Sequence, residues 1–351
     1  MKILLVSKSF KPNIGGIETV VEQLGEALSQ QGIEARILTQ AKSFHKNAVK
    51  ANAASTFFKI KQIKPDIIHI HGFRTISLPV MSAAKILKIP AIITPHFDYN
   101  ENFKNKLNIF LHKRFEFKKI IALTSFEKQK LELLGFKNIE VIPNFFDFSQ
   151  LDVKSNDFRK TFQIPEDAFL FLFVGRLAAN KGIQYLIEAF SRLDFEKKFL
   201  AIVGSQDKRF KDTTFEYFNS LIEKFGAKEK AILTGRINDQ MLAQAFHASN
   251  AVVVPSISSE AFGLVILQAM YCSKPVIATN LEVFREIVSD KEDGILVEPK
   301  NAESLAQAMK KLALNPELCN KMGQKAKEKA INQYSKQKTV NRLIDLYKSF
   351  I

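Results

Sequence analysis

The sequence predicts an α/β protein of two domains, each a mostly parallel β-sheet with helices on both faces. Three observations carry this. Short β-branched runs alternate with helical patterns from Lys2 to Pro143, the order that yields parallel sheets. A second alternation starts at Ala168 and continues to Pro299. Between the two, residues 148–165 are polar, charged and broken by Pro165, which is linker chemistry. Domains are therefore expected over 1–160 and 161–333, with a last helix over 334–351.

Composition sets the limits. The chain has 351 residues, enough for two sizeable cores. With 46% hydrophobic and 25% charged residues it is an ordinary globular protein. Two cysteines, Cys272 and Cys319, give neither a disulfide framework nor metal-ligand spacing, and fit a reducing cytosol. The apolar run after Met1 is too short for a signal peptide, and no segment reaches membrane-spanning length. A cytoplasmic location follows as an expectation. The net charge of +15 is uneven: residues 1–150 carry +10 and the remaining 201 residues +5. The first half therefore suits an anionic neighbour, nucleic acid or a lipid surface, unless the excess is compositional bias. A nucleic-acid partner is not expected, since no recognisable module accompanies the charge.

In chain order, Lys2–Ser7 reads as a buried strand. Gly15 and Gly16 then lie in the first strand-to-helix turn, before Val20, Val21, Leu24, Ala27 and Leu28 at helical spacing. A glycine pair there serves either a phosphate approached by backbone N–H groups or a plain tight turn. Strand-like runs recur at Ala35–Thr39, Asp66–His71, Ala91–Pro95, Lys119–Thr124 and Glu140–Pro143. His69, His71 and His96 fall at strand ends. His69 and His71 share a strand face, but no third ligand is at hand, so no metal site is expected. From Phe103 to Lys119, Phe103, Leu107, Phe110, Leu111 and Phe115 form an apolar stripe among lysines and Arg114. That basic amphipathic helix suits either an anionic membrane surface or a core-facing position.

In the second half, Ala168–Val174 is followed by GRLAANKG at 175–182 and a helical pattern. Arg176 and Lys181 thus share a loop between a strand end and a helix start. Two cations beside a helix N-terminus suit either a diphosphate site, where fixed positive charge meets leaving-group negative charge, or two plain surface positions. Strands follow at Phe199–Gly204 and Ala231–Ile237, and Asn238 caps a helix through Ala248. Ala251–Val254 is a short buried strand, Pro255–Ser259 a turn, and a helix pattern runs from Phe262 to Pro275. Glu260 sits between strand end and helix start, where open α/β sheets bind ligands. The N–H groups of Phe262, Gly263 and Leu264 suit an anion, and Gly263 leaves room for close approach.

These motifs resemble GT-B glycosyltransferases of family 4, also called group 1, over nearly the whole chain. GGIE at 15–18, GR…KG at 175–182 and the Glu260 stretch carry the resemblance. It implies a GT-B fold: two Rossmann-like domains facing an interdomain cleft, with the last helix crossing back to the first. It implies that the second domain binds a nucleotide-diphosphate sugar and the first a glycan or lipid-linked acceptor, for a retaining hexosyl transfer in polysaccharide or glycolipid synthesis. A peripheral site on the inner face of the plasma membrane goes with such an acceptor. No Asp-x-Asp occurs, which argues against the metal-dependent GT-A fold, and no cofactor is expected.

By the same resemblance Arg176 and Lys181 hold the donor phosphates, Glu260 the donor sugar, and His96 in ITPHFDYN reaches that sugar. Gly16, Gly204, Arg236, Ile237, Phe262, Gly263, Leu264 and Gln268 line the donor site. Two positions depart from the family. Gln268 stands where a second Glu bonds the ribose, and Phe145 replaces the glycine after Pro-Asn in VIPNFFD. These departures carry the alternative, a catalytically impaired relative that binds nucleotide or acts as a scaffold.

Overall fold

The computed structural model describes all residues except 13–14, 74–75, 97–108, 154–156, 207–210 and 259. The chain forms two units. The first comprises Met1–Phe146, Glu260–Phe262 and Lys336–Ile351, the second Asp147–Ser259 and Gly263–Ser335.

The first unit runs β1 (Lys2–Ser7), α1 (Gly16–Gln30), β2 (Glu34–Thr39), β3 (Ala48–Lys50), α2 (Ala53–Ile63), β4 (Ile67–His71), α3 (Ser77–Leu87), β5 (Ala91–Thr94), β6 (Lys119–Ala122), α4 (Ser125–Leu133) and β7 (Ile139–Val141). All pairings are parallel, in the order β3-β2-β1-β4-β5-β6-β7. Alternation along β4 divides its side chains between the two faces. Ile68 and Ile70 join Ile60 and Val80 in a core on one face. His69 and His71 take the other, among Val20 and Leu24 of α1.

The second unit runs α5 (Phe158–Thr161), β8 (Phe169–Val174), α6 (Ile183–Ser191), β9 (Lys198–Val203), α7 (Phe215–Lys224), β10 (Ala231–Gly235), α8 (Asp239–Ala248), β11 (Ala251–Val254), α9 (Leu264–Tyr271), β12 (Val276–Thr279), α10 (Glu282–Ile287), β13 (Gly294–Val297), α11 (Ala302–Ala313) and α12 (Pro316–Tyr334). Its parallel sheet has the order β10-β9-β8-β11-β12-β13. Phe171 and Phe173 of β8 pack with Leu186, Phe190, Leu305 and Met309 in its core. Burying side chains of this size contributes about 1.5–3 kcal/mol each. At Ser335 the backbone turns extended (φ −67°, ψ 138°) and α12 stops. α13 (Lys336–Lys348) then returns to the first unit.

Both sheets thus follow the doubly wound order, and each reverses direction between its first and fourth strands in sequence: β1/β4 and β8/β11. Ligands bind outside the carboxyl ends of strands at such switch points.

Two expectations change in detail. The chain enters the second unit at Asp147, before the expected boundary at 160, because the stretch after it is tied down there. Phe158 is fully buried, Arg159 donates to the Ala248 carbonyl at 3.0 Å, and His247 Nε2 meets the Leu151 carbonyl at 2.9 Å. Of the helix expected over Phe103–Lys119, residues 103–108 lie outside the described residues. Its described part is helical only over 109–112, and Lys119 opens β6. There Ile109 and Phe117 are buried in the core and His112 meets Ser77 Oγ at 2.5 Å, while Phe110 is 54% exposed. Of the described stripe residues, Phe115 packs against this core while Phe110 does not. Phe145, the residue in place of the family glycine, adopts no left-handed turn; it is buried and lines the cavity beside His69 and His71.

Candidate active site

The carboxyl ends of β10, β9, β8 and β11 form a continuous rim whose geometry is set by glycine. Gly204, after β9, has φ +155°, and a Cβ there would lie 1.7 Å from the Gly175 carbonyl oxygen. Its N–H donates to the Gly235 carbonyl at 3.0 Å, and the Gly175 N–H donates to Val203 at 3.0 Å. Three neighbouring strand ends therefore close on one another through backbone alone, which only residues without Cβ permit.

On the other side of β8, the loops after β8 and β11 meet. Gly182, at φ +67°, is the N-cap of α6. A Cβ on it would lie 2.0 Å from the Pro255 carbonyl oxygen. The Ile257 N–H donates to the Asn180 carbonyl at 2.9 Å. These contacts join the 175–182 loop to Pro255 and Ile257 at the β8/β11 switch point. Arg176 is exposed and Lys181 half-buried, in a 3-10 turn over Ala179–Lys181. Two cations beside a helix start, at a rim of backbone N–H groups, can bind and hold an anion.

The other expected residues fall as follows. Gly16 opens α1 behind Gly15, whose φ of −168° is ordinary extended backbone, so the turn makes no conformational demand on Gly15. Arg236 is exposed and Ile237 half-buried between β10 and α8, and Asn238 caps α8 through the Met241 N–H at 2.8 Å. Glu260 is half-buried and Phe262 buried; both group with the first unit. Leu264 is the first residue of α9, half-buried, and Gln268 is buried on it. The expectation for Gly263 needs a different reason. It has φ +102°, and a Cβ would meet the Phe284 ring at 2.9 Å, so the fold itself requires glycine there.

The chain's two halves match two family models, "Glycosyltransferase Family 4" over residues 14–150 and "Glycosyl transferases group 1" over residues 154–329. The chain is a group 1 glycosyltransferase. This glycosyltransferase is 30% identical to MJ1178, an uncharacterized glycosyltransferase of Methanocaldococcus jannaschii, over 93% of both chains. It is 25% identical to the O-antigen chain mannosyltransferase C of Escherichia coli, over 100% of this chain and 99% of that one. Among solved structures, HepE of Anabaena in complex with UDP-glucose superposes with a TM-score of 0.88 at 20% identity, over 99% and 100% of the chains. The fold is GT-B.

In the first unit the glycosyltransferase places His96 just past β5, 4% exposed and at φ +47°. His96 Nε2 lies 3.1 Å from His71 Nδ1. The His69 ring is 4.2 Å from that of His71. Its two nitrogens meet the Tyr347 hydroxyl at 2.7 Å and the Thr94 hydroxyl at 2.8 Å. Burial holds His69 neutral, with its pKa lowered to about 3, and pushes His71 well below its usual range. Sequence reasoning missed Tyr347 and Thr94 here, and Glu127, whose carboxylate accepts the Leu123 N–H at 2.6 Å. The period-2 placement of His69 and His71 signalled the shared face; nothing in the sequence signalled a tyrosine 278 residues further on. Among the described residues no helix is long and apolar enough to cross a membrane.

Proposed function

We propose that this glycosyltransferase moves a hexose-type sugar from a nucleotide-diphosphate sugar to a glycan or lipid-linked acceptor, with retention of anomeric configuration and without a metal ion. The observation that carries this is the fused pair of loops at the β8/β11 switch point, which sets Arg176 and Lys181 at a helix start and a glycine rim. The relatives' names agree in kind: one transfers mannose in O-antigen synthesis, and HepE was crystallised with UDP-glucose.

In the reaction the sugar C1–O bond breaks and its electron pair goes to the diphosphate. The acceptor oxygen forms the new bond on the same face of the sugar, and its proton leaves to the departing phosphate. Arg176, Lys181 and the start of α9 stabilise the charge that develops on the diphosphate. A single well-placed donor contributes roughly 3–4 kcal/mol to such a step. Glu260 is assigned to the hydroxyls of the donor sugar and opposes the developing positive charge on its ring. His96 is assigned to the same sugar. Gly16, Gly204, Arg236, Ile237, Phe262, Gly263 and Leu264 are assigned to the rest of the donor, and Gln268 to the ribose, through its carbonyl oxygen. The basic first unit favours an acceptor on an anionic membrane at the cytoplasmic face.

Thermal unfolding with UDP, GDP, ADP and their common sugar conjugates, in a chelator, tests this. At a hundredfold its dissociation constant, the right nucleotide adds about 2.7 kcal/mol of stability. Arg176→Ala and Lys181→Ala should abolish the shift while leaving the unliganded midpoint in place. Folded protein that responds to none of them refutes the reading.

A further inference from the structure

Among the described residues, one buried side-chain polar atom has no protein partner: His71 Nε2. His71 is the middle of three imidazoles. On one side the His69 ring lies 4.2 Å away, clamped at both nitrogens by Tyr347 and Thr94. On the other lies His96, its ring stacked on that of His71 with centroids 5.3 Å apart. A backbone φ of +47° is costly for a residue with a side chain. Such a residue persists only where its surroundings over-determine it, and His71 is one neighbour that holds the ring.

A neutral imidazole pair places one proton in the 3.1 Å gap between His71 Nδ1 and His96 Nε2. If His96 donates, His71 carries its own proton on Nε2, buried and without a protein acceptor. If His71 donates, Nε2 is a bare acceptor instead. His71 lines a cavity of about 20 Å³ whose walls include Val20, Leu24, Ile142 and Phe145. In folded proteins an orphaned buried N–H is rarer than an under-used acceptor, so the second arrangement is favoured.

We propose that His71 is a positioning residue for His96: its Nδ1–H donates to His96 Nε2, which fixes the ring and leaves the His96 proton on Nδ1. His96 then presents an N–H and meets its partner as a hydrogen-bond donor, suited to a sugar oxygen and unsuited to taking up a proton from Nε2. The link to a sugar rests on the proposed function; the ring geometry and the tautomer do not.

The test uses the full chain with 15N-labelled histidine, the His96 signals being those lost in His96→Gln. The expected spectrum shows Nδ1 of His96 protonated and Nε2 bare. His71→Leu should erase that preference. His71→Asn, whose amide N–H can donate from nearly the same place, should keep it. In turnover assays His71→Leu should lower kcat about 10- to 100-fold with the donor KM unchanged, and His71→Asn should recover most of the loss. A proton on Nε2 of His96, or a tautomer unmoved in His71→Leu, overturns the proposal. If His71→Leu does not fold, the native and His71→Asn spectra decide it. If the tautomer is as expected and turnover ignores both His71→Leu and His96→Gln, the positioning stands and the sugar contact of His96 falls.

Discussion

The two units wind their sheets in the same order yet treat the same place in opposite ways. At the strand ends of the second unit, side chains have been removed: Gly175, Gly204 and Gly235 meet through backbone, Gly182 presses on Pro255, and the cations stand at the edge. At β4 and β5 of the first unit, side chains have been packed in: His69, His71, His96, Thr94 and Tyr347 lie ring to ring and hydroxyl to ring. The first solution exposes donors to a ligand. The second buries polar groups and must satisfy them internally, since each unpaired one costs about 1–3 kcal/mol. One topology therefore leaves a rim of bare backbone in one copy and a packed row of rings in the other.

The largest effect should come from putting a side chain back on the rim. Gly204→Ala places a Cβ 1.7 Å from a backbone oxygen at a φ of +155°. Neither partner is a flexible side-chain end, so a loss of more than about 4 kcal/mol is expected, read as a lowered urea midpoint or as insoluble protein. A Gly204→Ala protein of native stability would show that the rim is not closed by contact, and the comparison between the units would lose its physical basis.

Acid should strike the first unit instead. His69 has a folded pKa of about 3 against 6.5 in the unfolded chain, and His71 shifts the same way. The unfolded state then binds more protons, so this stabilisation is complete above pH 6.5. It is lost as pH falls through the window down to the folded values. Each group contributes up to about 1.4 kcal/mol per pH unit there. Urea midpoints should fall between pH 7 and 5, and the double variant His69→Gln, His71→Asn should flatten that slope. An unchanged slope would mean that water reaches these rings. The smallest effect sharpens the second unit: Gln268→Glu restores a charged acceptor and should tighten nucleotide binding by about tenfold at most, measured by calorimetry.

Much of this was legible in the residues. Lys2–Ser7 and Ala251–Val254 stand as read, because each is a short, mainly apolar run followed by turn residues, as a buried strand requires. Asn238 caps α8 as its side-chain chemistry dictates. Thr124 was read into a strand, whereas it caps α4 by accepting the Glu127 N–H at 3.0 Å; threonine serves both roles, and the neighbouring Glu decides. β3 was missed because three residues, Ala48–Lys50, form no periodic signal. In the candidate site, the loops of Arg176 and Glu260 could be placed from local pattern. What joins them could not, since Gly182 against Pro255 is a contact between distant segments. The face shared by His69 and His71 was legible, but not its links to His96 and Tyr347, which lie 25 and 278 residues further on.

That separation has a consequence for how the chain is made. During synthesis, Tyr347 leaves the ribosome 278 residues after His69. Domains fold largely as they emerge, yet the first unit carries His69 without its tyrosine partner while the entire second unit is translated. Closing so long a loop carries an entropic cost that grows only slowly with length, so the delay is one of timing more than of energy. The enzyme's N-terminal half thus waits on its C-terminal helix, and His69, the ring beside His71, is locked last.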